Sequence, residues 1–396
     1  MSASLPGVVS VIAPCRNERA HVAAFCDEVA HQRLPEGVEL EVLIADGDSD
    51  DGTRELLAAR CAADSRFVLV DNPARIVSSG LNRCLQRAHG EVIVRMDLHT
   101  GYADDYIAEC LAALARSGAA NVGGPWRADS EGALQGGIES GTAQRGEAGA
   151  TQHEGMAGET QRASMNGATQ SENRRGATQR EHRNGATRRA IAAAFQSRWV
   201  AGGALSRNLD YEGPVDTVYL GCWPRATFER FGGFDENLVR NQDDEHNLRL
   251  VLGGATVWQS ARIRSSYRPR ASLSMLFRQQ LQYGYWKPFV MRKHGRAASL
   301  RQLVPGGFVA LLALLTVAAP WLPAMRGALA LLGLLYAAYV ATAAIAIARN
   351  AGWALLPRLP VVIAATHFGY GLGSLRGWLD VLRRGAPSPA CGSLTR

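Results

Sequence analysis

Short aliphatic runs alternate with helical stretches along the first third of the chain. VVSVIAP, EVLIAD, FVLVDN and EVIVRMD are bounded by turns, and between them lie AHVAAFCDEVAHQ, DGTRELLAARCAA and IVSSGLNRCLQRAHG. Runs of this length, apolar throughout, read as strands buried on both faces, with the intervening segments as crossover helices. The pattern predicts a doubly wound α/β domain over residues 1–127. In such sheets ligands gather at the carboxyl ends of strands. The residues to inspect are therefore Arg16 to Glu18, Asp46 to Asp51 and Asp97 to His99.

From 128 to 189 aliphatic residues almost vanish. Gly-Ala-Thr-Gln begins at Gly149, Gly167 and Gly176, with degenerate copies at Gly158 and Gly185, a nine-residue repeat. So few apolar groups cannot offset the entropy of ordering, which predicts a disordered, tandem-expanded surface loop. A nonapeptide solenoid would need a buried apolar position in each rung, and none is present. Order resumes over 190–301, a second acid-rich unit.

The remainder is apolar. Leu303 to Leu322, Ala328 to Ala348 and Trp353 to about Leu375 each approach the length that crosses about 30 Å of hydrocarbon. The first two read as spans within a 302–375 membrane region. The third carries His367 and several glycines, and reads equally as a weak span, a re-entrant element or an interfacial helix. Arg292, Lys293, Arg296 and Arg301 precede the first span and only Arg326 follows it, an asymmetry that puts the preceding domain inside. Arg376, Arg383 and Arg384, in a basic and flexible 376–396 tail, conflict with a three-span topology.

Composition changes this picture little. The net charge of +7 forms no single stripe suited to nucleic acid, and a basic flank beside a membrane accounts for it. Seven scattered cysteines, an odd number without CxxC spacing, indicate free thiols in a reducing compartment. The apolar stretch Val8 to Pro14 is too short for a signal-peptide core.

The candidate chemistry lies in three clusters. In IADGDSDDGT a strand ends in acids and opens a helix at Thr53. Asp48, Asp50 and Asp51 there either face a polar ligand or simply cap the helix. In VIVRMDLHT, Asp97 and His99 stand two apart on extended chain and point the same way, as two ligands of one divalent cation would. Asn241-Gln242-Asp243-Asp244-Glu245 precedes a helical run. Its acids suit a helix N-terminus, and they also offer a base for an acceptor hydroxyl.

The succession RNE, DGDSDDGT, NPARIVSSGLN, RMDLHT, GCWPRATFERFGGFDE and QDDEHNLRL resembles the family-2 inverting glycosyltransferases, in particular the succinoglycan-type exopolysaccharide glucosyltransferases. The resemblance covers about Val8 to Arg127 and Ala190 to Arg296, with the repeat as an insertion. It implies a nucleotide-sugar-binding fold of GT-A type followed by transmembrane helices. It further implies transfer of a hexose such as glucose from a UDP-sugar onto a lipid-linked saccharide at the inner membrane, with the catalytic domain cytoplasmic. By that resemblance Asp46 contacts uracil, and Pro14, Arg16, Glu18, Asp48 and Asp97 complete the donor site. Asp97 and His99 hold Mn²⁺ or Mg²⁺, and Asp243 is the catalytic base. Gly221, Cys222, Trp223, Asp244 and Glu245 lie on the acceptor side.

The sequence departs from the family pattern in two places. His99 stands where the family has a second aspartate, which favours Mn²⁺. Gln242 stands where it has glutamate, which changes the electrostatic neighbour of Asp243. The Gln-x-x-Arg-Trp signature of processive synthases is absent, with QLQYGYWK in its neighbourhood, so single-residue transfer is expected. A dinucleotide oxidoreductase is excluded because APCRNE stands where G-x-G-x-x-G would follow the first strand. The alternative kept is a catalytically weakened binding or scaffold protein of a polysaccharide assembly.

Overall fold

The computed structural model describes residues 6–128 and 185–388, apart from 201, 268 and 271. The expected strands and helices are present in order. They are β1 (Val8–Cys15), α1 (Val22–Ala30), β2 (Glu39–Asp46), α2 (Thr53–Ala63), β3 (Phe67–Asp71), α3 (Val77–Arg87) and β4 (Val92–Arg95). β5 (Thr100–Tyr102), α4 (Tyr106–Ser117) and β6 (Asn121–Gly124) follow. After the insert come α5 (185–196), β7 (Gly213–Pro214), β8 (Tyr219–Pro224), α6 (Arg225–Phe231), α7 (Gln242–Leu252), β9 (Val257–Gln259), β10 (Ser265–Tyr267) and α8 (Leu273–His294).

The main sheet runs β3-β2-β1-β4-β8-β6-β9-β7. Its first four strands are parallel, as expected. β8 is antiparallel to both β4 and β6, so the sheet is mixed. An apolar run fixes burial but not direction, and the second half of the chain sends β8 back between two strands of the first. Two cores cover the sheet, one including Val9, Val11, Phe25 and Ile107, the other including Ile12, Leu81, Trp223 and Phe234.

Most of the repeat, 129–184, lies outside the described residues. The ordered unit begins earlier than the composition indicated: α5 opens at Gly185, and Ala190, Ile191, Ala194 and Phe195 bury its inner face. The last degenerate repeat copy is therefore part of a helix, anchored by the aliphatic residues that follow it.

Three long helices close the chain: α9 (Val304–Ala318), α10 (Pro323–Ala351) and α11 (Leu359–Arg384). Among the described residues, Leu300–Ala318 and Pro323–Ala351 are long and apolar enough to cross a membrane, and both expose most of their apolar surface. α11 behaves differently. It lies along α8, and at Gly373, Gly377 and, from the other side, Gly284 an added Cβ would collide with the carbonyls of Leu281, Tyr285 and Tyr370 respectively. Such contact needs glycine at each crossing point. Tyr285 Oη donates to Asp380 at 2.7 Å and accepts from the Ser388 amide at 2.8 Å, pinning the far end. Arg376, Arg383 and Arg384, expected in a flexible tail, belong to this helix, and 389–396 lie outside the described residues.

Candidate active site

A cavity of about 1050 Å³ opens at the carboxyl ends of the parallel strands and runs on to the terminal helices. β1 delivers Pro14, and the turn after it delivers Arg16 and Glu18. Glu18 is nearly buried, its carboxylate 3.3 Å from His99 Nδ1. β4 ends in Arg95, whose guanidinium donates to both oxygens of Asp97 at 2.9 and 3.0 Å. Burial disfavours the Arg95 charge, but Asp97, with Asp243 behind it, outweighs that and holds its pKa above the ordinary range. The sequence reading missed Arg95. The signal was a cation inside an otherwise apolar strand, which burial tolerates only when paired.

Asp97 and His99 both line the cavity, as the two-residue spacing implied. Among the described residues no group of three or more His, Cys, Asp or Glu is arranged to hold a metal ion. A cation here would therefore rest on these two side chains and take its remaining ligands from a bound diphosphate. The chemistry fits, since a carboxylate and an imidazole backed by Glu18 are ordinary divalent-ion donors.

The acids after β2 divide by role. Asp46 does not line the cavity: its buried carboxylate accepts from Ser49 Oγ at 2.5 Å and pairs with Arg54 at 3.3 Å. Asp48 is exposed and forms an ion pair with Arg75, which itself lines the cavity. Asp50 bonds Asn17, and Asp51 accepts from the Thr53 amide at 3.0 Å, the helix-capping alternative. These interactions fix the turn shape rather than present carboxylates to a ligand.

Asn241, in a left-handed conformation, starts α7 and places Asp243, Asp244 and Glu245 in its first turn. Asp243 and Asp244 face the cavity. Two residues along a helix rotate a side chain by roughly 200°. Accordingly Glu245 points away, fully buried, with Arg249, Lys293 and His294 each at 2.9 Å. Glu245 is thus a buried structural anion and not an acceptor-side group. Lys287 of α8 donates to Asp244 at 2.5 Å. Burial and then the Asp244 charge push the Asp243 pKa up, against the pull of Arg95 and Lys287. For Asp244, burial is outweighed by Lys287, and its pKa lies low. One carboxyl of the pair is tuned toward proton uptake, the pattern that marks acid and base assignments.

Gly221, Cys222 and Trp223 do not form the acceptor wall expected of them. Cys222 and Trp223 are core residues of β8, and Trp223 packs against Phe228, Phe234 and His246. Tyr219, at the start of the same strand, reaches the cavity instead. It stacks on Trp126 at 5.5 Å, and the Arg207 guanidinium lies 3.8 Å from the Trp126 ring centroid. Burial draws the Arg207 pKa down to about 10.

A mixed sheet with its acidic strand ends facing one deep cavity is an α/β architecture of GT-A type. The glycosyl transferase family 2 model matches residues 10–166. Succinoglycan biosynthesis protein ExoA of Rhizobium meliloti (strain 1021) is 28% identical over 297 residues, 74% of this chain and 73% of that protein. Succinoglycan biosynthesis protein ExoM of the same organism is 28% identical over 118 residues, 30% of this chain and 38% of that protein. The mannosyltransferase PcManGT from Pyrobaculum calidifontis, solved in complex with GDP-Man and Mn²⁺, shares the fold with a TM-score of 0.52 at 17% identity, covering 95% of this chain and 88% of its own. Over residues 10–166 the chain is thus similar to the family 2 glycosyl transferases.

Proposed function

We propose that the chain transfers a hexose such as glucose from a UDP-sugar onto a lipid-linked saccharide during exopolysaccharide biosynthesis, with inversion at the anomeric carbon. The observation that carries this reading is the continuity of one cavity. Asp97, His99, Asp243, Tyr336 and Tyr370 all line it, so a donor at the strand ends and an acceptor arriving along α10 and α11 would meet at Asp243. Participation in exopolysaccharide synthesis rests on the likeness to the succinoglycan proteins. The UDP-hexose rests on the resemblance of the motifs.

In this reading Asp97 and His99 hold a divalent cation, as the Mn²⁺ bound by the structurally similar mannosyltransferase supports. That ion would offset charge on the departing diphosphate. Asp243 takes the proton from the acceptor hydroxyl as that oxygen attacks, and its raised pKa suits it to hold the proton. Lys287 keeps Asp244 ionised, and Arg95 holds Asp97 in line. α9 and α10 are read as crossing the inner membrane as a hairpin. α8 and α11 then lie on the same, cytoplasmic side, and the basic end of α11 no longer conflicts with the inside charge bias.

Membranes carrying the chain, incubated with a panel of labelled nucleotide sugars, test the proposal. Label should enter the lipid fraction from one donor, and EDTA should abolish its entry. Undiminished incorporation in EDTA would remove the metal role, and no incorporation from any donor would favour the binding or scaffold alternative.

A further inference from the structure

Three residues that line the cavity each carry a buried polar atom with no hydrogen-bond partner: Trp126 Nε1, Gln279 Oε1 and Tyr370 Oη. Buried polar groups left unpaired are destabilising, and a native chain keeps few without a use. These three come from distant parts of the sequence; Trp126 and Gln279 are linked through Tyr267, and Tyr370 lines the same cavity from α11. Gln279 Nε2 donates to Tyr267 Oη at 3.0 Å, and the Tyr267 ring meets Trp126 edge-on at 5.4 Å. Tyr370, carried by α11, is packed against α8 where its carbonyl meets Gly284, and its hydroxyl lies within electrostatic reach of Asp244 and Arg301.

We infer that Trp126, Gln279 and Tyr370 form an acceptor-sugar subsite beside the Asp243–Asp244 pair, binding hydroxyls of the saccharide ring that receives the transferred residue. The inference rests on the proposed transferase function and specifies its acceptor side. The three atoms supply one obligate donor, one obligate acceptor and one group that does both, which matches neighbouring sugar hydroxyls. A bare lipid phosphate has only acceptor oxygens along its ionised edge, and the Gln279 carbonyl would face it unfavourably. The three atoms are shielded from water, so each hydrogen bond formed there discriminates strongly for a hydroxyl.

Tyr370→Phe deletes an atom that bonds nothing in the protein, and Gln279→Met deletes the unpaired Oε1 together with the Nε2 bond to Tyr267. Full-length chain in detergent is assayed with its nucleotide sugar and two kinds of acceptor probe: decyl glycosides (glucoside, galactoside and mannoside) and decyl phosphate. The wild type should use at least one glycoside in preference to decyl phosphate. Tyr370→Phe should raise the KM for that glycoside roughly tenfold while leaving the KM for nucleotide sugar within about twofold. Its thermal midpoint should hold or rise, because an unpaired buried hydroxyl has been removed. Gln279→Met should raise the glycoside KM similarly. An unmoved glycoside KM in both variants, equal rises in both KM values, or preference for decyl phosphate would overturn the subsite while leaving the transferase reading standing. A wild type that turned over no nucleotide sugar at all would overturn both.

Discussion

The strand-end half of the site and its helical half are built by different physics. At the strand ends, short links within and between adjoining turns do the work: Arg95 clamps Asp97 two residues away, Asp51 caps the helix that starts at Thr53, and Glu18 and Asp50 reach His99 and Asn17. In the helical half, partners are distant: Lys287 reaches Asp244, Tyr370 meets Gly284, and Tyr285 is tied to Asp380. The first arrangement is held by the parallel sheet, which sets the strand ends side by side. The assembled one depends on a close crossing of α8 and α11 that glycine alone permits.

The sharpest break falls where the halves meet. Asp243→Asn should lower transfer by about 10²-fold or more while nucleotide-sugar binding persists, since the amide keeps the shape and cannot take a proton. The pKa of Asp243 is raised by folding, so its ionisation works against the fold as pH rises through that value. The Asn variant should accordingly melt no lower than wild type at neutral pH. Wild-type turnover in that variant would move the base to another residue.

The helical half is tested next. Gly373→Val drives a side chain into the Leu281 carbonyl and should destabilise the chain by about 3 kcal/mol, read as loss of folded protein in a thermal melt. Gly333→Val in α10, where a Cβ meets nothing, should leave the melt unchanged. Equal effects at the two positions would deny that the α8–α11 crossing requires glycine.

A smaller effect is expected from Lys287→Met. Lys287 lowers the Asp243 pKa, so its loss should carry the acid limb of the pH–rate profile upward, activity falling as Asp243 gains its proton. An unmoved acid limb would separate Lys287 from the base. Smallest is the strand-end change His99→Asp, expected to shift metal preference from Mn²⁺ toward Mg²⁺ by a few fold, measured by titrating each ion into EDTA-stripped enzyme.

The same division explains what was legible in the sequence. The parallel strands, the crossover helices and the placement of Asp97, His99, Asp243 and Asp244 on one cavity follow from short-range spacing, and the structure contains them. Glu245 was misread because three consecutive acids look alike in sequence, whereas helical rotation sends the third into Arg249 and His294. Trp223 lies in the core because strand β8 carries both core and cavity residues, and its register places Tyr219 on the cavity. α11 resembled a span by composition, but its glycines serve contact with α8, which no hydropathy window registers. Arg95 and Lys287 were visible as lone cations in apolar surroundings, yet their partners lie in the fold.

The central claim is that one carboxylate, Asp243, drives a direct displacement. It is tested most directly by the anomeric configuration of the product, determined by NMR after transfer from an α-linked nucleotide sugar. A single base acting on the acceptor hydroxyl predicts a β-linked product. An α-linked product would require a covalent or otherwise front-face route and would contradict the account.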